Sequence, residues 1–445
     1  MKIGGIYVKR VKGTGLLMLM LAFIVVLSAC GSSNGNSKEN SASDSAGVKI
    51  TLLNSKGEIQ TQLEDAAKAF HEDNPDITLE IQAVPNGGSP FERASTLYAS
   101  GNPPTMIMLD TGDVEKFKDR VLDLSGEKWN ADTVANATDL TTFDGKNYAF
   151  PLAVEGYGFI YNKAVLDKAV GGTFDPAAIN TTDSLEKLFQ QIEASGSKAL
   201  VISPMDWSLG AHYLPLAYAG QNKDMAEVNK FVDGLRAGTV QLGDNAVFNG
   251  LMNTFDVMMK YNIDQASPLA GVYERGPELL GKGEVGIWFM GNWAWPQISS
   301  FDTANGAYGF LPVPVSNNPT DYGNQEISSA VSKRIVIDKE KSTPEQQAAA
   351  KKFLEWIVYQ DKGQDFLVNK ASIIPAFKNI TLPAADPLGK SLQDYIARDR
   401  SEQSMSVLPA DHWSILGASM QKYLSKSGDR ALLVKEIEEY WKTAK

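Results

Sequence analysis

Cysteine and histidine are both scarce in this sequence of 445 residues. The single cysteine, Cys30, rules out a disulfide within the chain and a metal site built from cysteines. The three histidines, His71, His212 and His412, lie far apart. The sequence contains no H-E-x-x-H zinc motif, no Walker loop and no complete G-x-G-x-x-G. We therefore expect no catalytic triad, no metal and no cofactor.

Basic side chains are also fewer than acidic ones. The chain has 42 basic and 53 acidic side chains, for a formal net charge of −11. The first 29 residues carry four basic side chains and no acidic one, so the remainder is more acidic still. Such a surface repels phosphate backbones, which argues against a general nucleic-acid function. The hydrophobic share of 43% is ordinary for a soluble globular protein.

The start of the chain has the composition of a targeting segment. A basic stretch precedes an apolar run at residues 16–27, which is too short for an ordinary membrane span. The run ends in LSAC, which resembles the bacterial lipoprotein signal and makes Cys30 the expected lipid-bearing residue. The alternative is a plain signal peptide with an incidental cysteine. We predict a signal peptide at 1–29 and a flexible tether at 30–47, rich in Ser, Gly and Asn.

The periodicity of the next segment predicts an α/β fold. Hydrophobic spacing predicts alternating strands and helices: a strand at 48–54, a helix at 59–70, a strand at 77–81, a helix near 91–99 and a strand at 105–109. This order is typical of a parallel sheet. Ligands of such sheets bind beyond the carboxyl ends of strands, so the loops 55–58 and 110–113 are candidate sites. Further along the chain, hydrophobic spacing predicts helices at 225–236, 246–261 and near 412–424. The remaining length predicts two lobes.

Three tryptophans fall within the eight residues WFMGNWAW, at 288, 293 and 295. Trp288 lies inside an apolar run that predicts a strand, so we expect it in a core. Trp293 follows Gly291 and Asn292 and precedes Pro296. We expect its indole to face a cleft, because loop aromatics beside a strand end are typical of ligand sites.

Aromatic and polar side chains near predicted loops together favour a carbohydrate ligand. The C–H faces of a pyranose ring stack on flat aromatic rings, and its hydroxyls pair with carboxylates and amides. The candidate ligand-binding residues are Lys56, Asp110, Asp113, Glu155, Tyr157, Asp206, Trp207, His212, Trp293, Trp295 and Trp413. A pair of carboxylates could also serve a glycoside hydrolase, and a surface adhesin that binds polymer is a third alternative.

Several stretches resemble the maltose-binding proteins and their relatives, which are extracellular solute-binding components of carbohydrate ABC transporters. The similar stretches are NSKG, NPPTMIMLDTGD, AFPLAVEGYGFIYNKAVL and GNWAWPQISSFDTANGAYGFLPVP. The resemblance covers the whole mature chain. It implies a non-enzymatic, monomeric protein that captures a di- or oligosaccharide by hinge closure and delivers it to a membrane permease. With Cys30, it implies a lipid-anchored protein on the extracellular face of the cell membrane, or facing the periplasm in a Gram-negative source.

The resemblance also assigns roles to particular residues. Lys56 matches a sugar-binding lysine, Asp110 and Asp113 bracket an acidic ligand position, and Glu155 matches a glutamate at the first crossing between lobes. Asp206 and Trp207 match an acid followed by an aromatic, Trp293 matches the stacking tryptophan, and Trp413 lies near another such aromatic. Leu109 stands where maltose binders carry tryptophan, so His212 and Tyr157 are expected to shape a different pocket.

The implied fold has two α/β lobes with a ligand cleft between them and hinge crossings near 150–155, 325–332 and 400–405. The first lobe is expected to combine residues 48–152 with 328–400. The second is expected to combine residues 153–327 with 401–445.

Overall fold

A computed structural model describes residues 47–85, 88–303, 305–405, 408–409 and 411–444. They belong to one compact unit, Ala46–Lys445. The predictions of a signal peptide, a lipid-bearing Cys30 and a tether up to residue 46 lie outside the described residues. Within those residues, none of the helices combines the length and the apolar composition that crossing a bilayer requires.

The described chain alternates strands and helices along most of its length. The strands are β1 (Val48–Asn54), β2 (Ile77–Ala83), β3 (Met106–Asp110), β4 (Thr142–Phe143), β5 (Lys146–Asn147), β6 (Phe150–Asn162), β7 (Lys198–Val201), β8 (Val285–Gly291), β9 (Tyr308–Leu311), β10 (Ile327–Ile337), β11 (Ile374–Pro375) and β12 (Ser401–Gln403). The helices are α1 (Gln60–Asp73), α2 (Pro90–Ala99), α3 (Val114–Phe117), α4 (Lys163–Val170), α5 (Thr182–Ala194), α6 (Leu216–Ala219), α7 (Met225–Arg236), α8 (Ala246–Tyr261), α9 (Arg275–Gly281), α10 (Trp295–Ile298), α11 (Pro344–Tyr359), α12 (Asp361–Asp365), α13 (Pro387–Ala397), α14 (His412–Leu424) and α15 (Arg430–Thr443).

The predicted parallel start of the sheet is confirmed. β1 pairs in parallel with β2 on one side and with β3 on the other. Helix α1 connects the first two strands and buries Leu63, Ala66, Ala67 and Phe70, the face that the helical spacing predicted. The full sheet runs β2-β1-β3-β10-β6-β8-β7, with β9 and β11 also paired to β6 and β12 to β10. The mixed α/β class is therefore as expected.

One element differs from its prediction. The sequence around Pro151 and Glu155 predicts two short strands, but β6 is a single strand of 13 residues. Its first half pairs with β10 and β11, and its second half pairs with β8 and β9. Pro151 is tolerated because it is the second residue of the strand, where a missing N–H costs little.

The buried apolar side chains form two large cores, and β6 contributes to both. Phe150 and Leu152 lie in the first core, which is built from β1, α1, β3 and α11. Phe159 and Tyr161 lie in the second core, with side chains of α5, α8 and the last two helices. β6 therefore carries the chain from one core to the other. Its antiparallel partner β10 runs from a smaller apolar cluster, which holds Ile327, to the first core, which holds Ile335 and Ile337.

The expected core position of Trp288 is confirmed. Its side chain is fully buried on β8. Its indole N–H donates to the Ser203 hydroxyl over 3.0 Å, which satisfies the one polar atom of the ring.

Candidate ligand-binding site

A small cavity of about 10 Å³ lies beside the middle of β6. Its lining comes from both cores: Lys56, Glu58, Ile59, Ala153, Val154, Glu155, Asn292, Trp293, Ala371, Ser372 and Ile373. This volume is about the room of one water molecule, so the opposing walls nearly touch in this conformation. A larger ligand needs the walls to move apart.

Lys56 is held in the cavity by the turn that follows β1. The Asn54 side chain accepts from the Lys56 N–H over 2.8 Å and donates to the Lys56 carbonyl over 2.9 Å. Such an asparagine-centred turn explains why the chain reverses there and directs the lysine inward. The Lys56 ammonium lies 2.6 Å from Glu58 and 2.5 Å from Glu155.

Lys56 and Glu155, which both line the cavity, form a buried ion pair. Lys56 is 3% exposed and Glu155 is 9% exposed. Burial alone lowers the pKa of Lys56, but the charges of Glu155 and Glu58 outweigh it and raise that pKa overall. Burial alone raises the pKa of Glu155, but Lys56 and then Lys333 bring it below its ordinary value. Both groups are therefore charged at neutral pH, and each keeps capacity for a further hydrogen bond.

Trp293, which lines the cavity, belongs to a group of four contacting rings. The His212 ring centroid lies 4.8 Å from that of Tyr157, 5.0 Å from Trp293 and 5.6 Å from Trp207. Trp207 also contacts Tyr273, with centroids 5.6 Å apart. Trp207, His212 and Trp293 are half-buried, so each keeps some surface for contact with a ligand. Tyr157, Trp293 and the pair Trp207 and His212 lie in separate parts of the sequence, and the fold brings them together.

The position of Trp293 depends on the turn that leaves β8. The Asn292 side chain accepts from the Gly156 N–H over 2.9 Å, which ties this turn to β6. The indole lies directly over Gly291, where any side chain would overlap the ring. Gly291 is thus needed for close approach, and Trp293 lines the same cavity as Lys56 and Glu155.

His212 is carried by a wide helical turn, Ser208–Tyr213, which packs against the start of α14. Burial lowers the pKa of His212 to about 4, although the charges of Glu155 and Asp110 oppose this. The imidazole is therefore neutral at neutral pH and can both donate and accept hydrogen bonds.

Three predicted carboxylates have other partners in this conformation. Asp110 is half-exposed at the end of β3 and lies 2.5 Å from the Lys333 ammonium. Asp113 lies 2.9 Å from Lys116, and burial raises its pKa. The Asp206 carboxylate accepts from the Trp207 N–H over 2.8 Å.

Two predicted tryptophans lie outside the central cavity. Trp413 is half-buried in the first turn of α14. Its carbonyl oxygen packs so close to Gly210 that a side chain at position 210 would overlap it. Trp295 packs edge-on against Tyr308, with centroids 5.4 Å apart, and lines a second cavity.

Sequence reasoning missed several residues of this site. Glu58 lies in the candidate loop 55–58, but no sequence pattern indicates its pairing with Lys56. Lys333 and Ser332 are on β10, and the Ser332 hydroxyl donates to Glu155. Tyr273 precedes α9. Since these three lie more than 60 residues from their partners in sequence, no local pattern indicates the contacts.

Among the residues that the structure describes, no three histidine, cysteine or acidic side chains are grouped as a metal site would require. The candidate site instead combines aromatic rings with a paired lysine and carboxylate, an arrangement chemically suited to a polar ligand.

The family of the chain follows from comparison with known sequences. Residues 65–395 match the family described as bacterial extracellular solute-binding protein, and the chain belongs to that family. The prediction of a solute-binding protein and not an enzyme is therefore confirmed, as is its extracellular class.

A multiple sugar-binding protein of Streptococcus mutans is 25% identical over 243 residues, which is 53% of this chain. The match spans about half the length of that relative, 54%. Two solved structures share the fold, each at 20% identity, a TM-score of 0.73 and coverage of 89% of this chain and 99% of the other. They are RafE in complex with raffinose, a protein known from Streptococcus pneumoniae, and a chitin oligosaccharide binding protein. The predicted periplasmic-binding-protein-like fold is thereby confirmed.

Proposed function

We propose that the protein is the substrate-binding component of an ABC importer and captures a di- or oligosaccharide. The observation that carries this proposal is that Trp293 and the buried Lys56–Glu155 pair line one cavity. A pyranose ring presents a flat C–H face for the indole and hydroxyls for the charged groups. The names of the S. mutans relative and of the two similar structures point to the same ligand class.

Capture requires the cavity to open. Its present volume of about 10 Å³ is far below that of a sugar site, which needs hundreds of Å³. We propose that β6 and β10 flex where they pass between the cores, as hinges do in periplasmic binding proteins. The ligand then replaces the ring contacts of Trp293 with His212 and Tyr157. Closure around the sugar excludes water and strengthens its hydrogen bonds.

We assign the two cores to two lobes, 48–152 with 328–400 and 153–327 with 401–445. Helix α13 is the exception within this division. Its Leu388 and Leu392 pack with Met290 and Phe310 of the second lobe, so we place α13 there. The cavity would then lie between the lobes, close to the crossing strands.

The energies are adequate for micromolar binding. A micromolar complex needs about −8 kcal/mol. Stacking supplies about 1 kcal/mol per ring beyond burial, and charge-assisted hydrogen bonds about 1.5–3 kcal/mol each, before ordering costs are subtracted.

The remaining parts of the proposal concern the cell surface. A lipid on Cys30 would hold the protein at the extracellular face of the membrane, and the closed form would dock as a monomer on the permease. Radiolabelled palmitate incorporated into the wild type but not into Cys30→Ala would support the anchor. Equal labelling of both, or of neither, would refute it.

The test of sugar binding is a thermal-shift screen of the mature chain against a panel of sugars, followed by calorimetry. A ligand of the folded state raises the melting temperature. We expect Trp293→Ala to weaken binding of the best sugar at least tenfold. The matched control is Tyr148→Ala, which removes another half-buried ring, packed on Phe143 in a separate apolar cluster. Equal affinities in wild type and Trp293→Ala would remove Trp293 from the site. Cleavage of the sugar on long incubation would favour a hydrolase instead.

A further inference from the structure

A second cavity opens beside the central one and is already large. Its volume is about 520 Å³, within the roughly 300–1,000 Å³ of typical ligand sites. Its lining is Trp295, Asn305, Gly306, Asn369, Ser372, Ala385, Asp386, Pro387 and Lys390. We call it the outer cavity. Ser372 lines both cavities, so the two are neighbours that share this residue in their walls.

The two tryptophans of WAW divide between these cavities. Trp293 lines the central cavity, and Trp295 begins α10 and lines the outer one. Tyr308 supports the Trp295 ring edge-on, which fixes the indole and leaves it half-buried. A single short turn thus presents one indole to each cavity.

The rest of the outer lining has the chemistry of a carbohydrate subsite. The Asn305 and Asn369 amides and the Lys390 ammonium are exposed, so they can reach ligand hydroxyls. The buried Asp386 carboxylate accepts from the Gly389 N–H over 2.7 Å and holds the start of α13 in place. An aromatic platform rimmed by amides suits a pyranose unit better than a purely apolar ligand.

We propose that the outer cavity is a sugar subsite that receives the third and later units of an oligosaccharide, with Trp295 as its platform. This inference rests on the proposed function, because the first units occupy the central cavity. The protein then prefers chains of three or more units to disaccharides. The outer cavity determines chain length, while the central cavity determines whether a sugar binds at all.

The test compares chain lengths by calorimetry. The probes are maltose, cellobiose and chitobiose, each with its tri- and tetrasaccharide. In the wild type we expect a trisaccharide to bind roughly fivefold or more tightly than the disaccharide of its series, the effect of one added stacking contact. Trp295→Ala should abolish this difference and change disaccharide affinity less than twofold.

A second variant distinguishes loss of the outer subsite from a folding defect in Trp295→Ala. Asn369→Trp fills the outer cavity from an exposed position and should also lower trisaccharide affinity to the disaccharide level. Its matched control is Lys370→Trp, because Lys370 is the next residue, is exposed and does not line the cavity. This control should behave as the wild type.

The outcomes separate this proposal from the one on which it rests. Equal affinity for di- and trisaccharides in the wild type, or an equal loss for all lengths in Trp295→Ala and none in Asn369→Trp, would overturn the outer subsite and leave sugar binding intact. Absence of binding to the wild type by these three series and by every sugar of the thermal-shift panel would overturn both proposals.

Discussion

Replacing Lys56 with methionine probes the most deeply buried charge of the candidate site. Methionine keeps much of the apolar stem of lysine but removes the ammonium that contacts Glu155 and Glu58, and leaves only the charge of Lys333 to act on Glu155. Since Glu155 is only 9% exposed, water cannot replace the lost partner. We expect Lys56→Met to lower the free energy of unfolding at pH 7 by about 3–5 kcal/mol, the typical cost of breaking a buried pair from one side. For a chain of this size, that is a fall in melting temperature of roughly 4–6 °C.

The pH dependence of this loss identifies its cause. In the wild type the pKa of Glu155 is below its ordinary value of 4.5, so the pair stabilises the fold above that pH and loses its contribution as pH falls through the lowered pKa. Without Lys56, burial dominates and raises the pKa of Glu155. Glu155 then destabilises the variant as pH rises above 4.5, so the difference between the two proteins is largest near pH 7 and smallest near pH 4.

Urea unfolding at several pH values measures this difference. The double variant Lys56→Met/Glu155→Gln should recover part of the lost free energy of unfolding at pH 7, because it also removes the buried carboxylate that Lys56 no longer pairs. Lys116→Met is the control, because its pair with Asp113 is partly exposed and should contribute less than about 1 kcal/mol. A Lys56→Met effect that is below 1 kcal/mol, or that does not change with pH, would refute the reasoning.

Three other predictions concern the aromatic side and the hinge strands. Gly291→Ala should displace the Trp293 indole and weaken sugar binding at least fivefold by calorimetry, with little change in secondary structure by circular dichroism; unchanged affinity would contradict the packing. His212 should titrate near pH 4 by NMR, so binding should hold between pH 8 and pH 5.5, and a pKa near 6.5 would show a solvated ring. Burial, aided by Glu326, raises the pKa of Glu402 to about 8, so wild-type stability should fall as pH rises from about 4.5 to 8. Glu402→Gln should flatten this fall in urea unfolding, and an unchanged profile would count against it.

Helices were the part of the fold that the sequence predicted best. The predicted segments 225–236, 246–261 and 412–424 agree with α7, α8 and α14 at both ends. Two of these helices have a capping side chain immediately before them: the Asp224 carboxylate accepts from the Ala226 N–H, and the Asn245 side chain accepts from the Phe248 N–H. Capping and amphipathic spacing are local properties, so a sequence displays them directly.

The length of β6 could not be predicted in the same way. Its continuity depends on four partner strands whose paired residues lie 126 to 222 positions away. Pairing with distant strands overrides a local proline signal, and no window of sequence contains that information.

The candidate site likewise contains residues that local sequence indicates and residues that only distant strand pairing places there. Lys56 and Trp293 were found because they occupy loops directly after strands, where ligands bind in α/β folds. Lys333 was missed because it lies within a strand, and a charged residue there usually faces solvent. Only the register of β10 against β3 places it opposite Asp110.

The most direct test of the account is a crystal structure of the mature chain with the sugar that binds tightest in the thermal-shift screen. We predict one pyranose face against the Trp293 indole and a ring hydroxyl within hydrogen-bond distance of the Glu155 carboxylate. A sugar bound elsewhere, with Trp293 still packed on His212 and the Lys56–Glu155 pair out of reach, would contradict it.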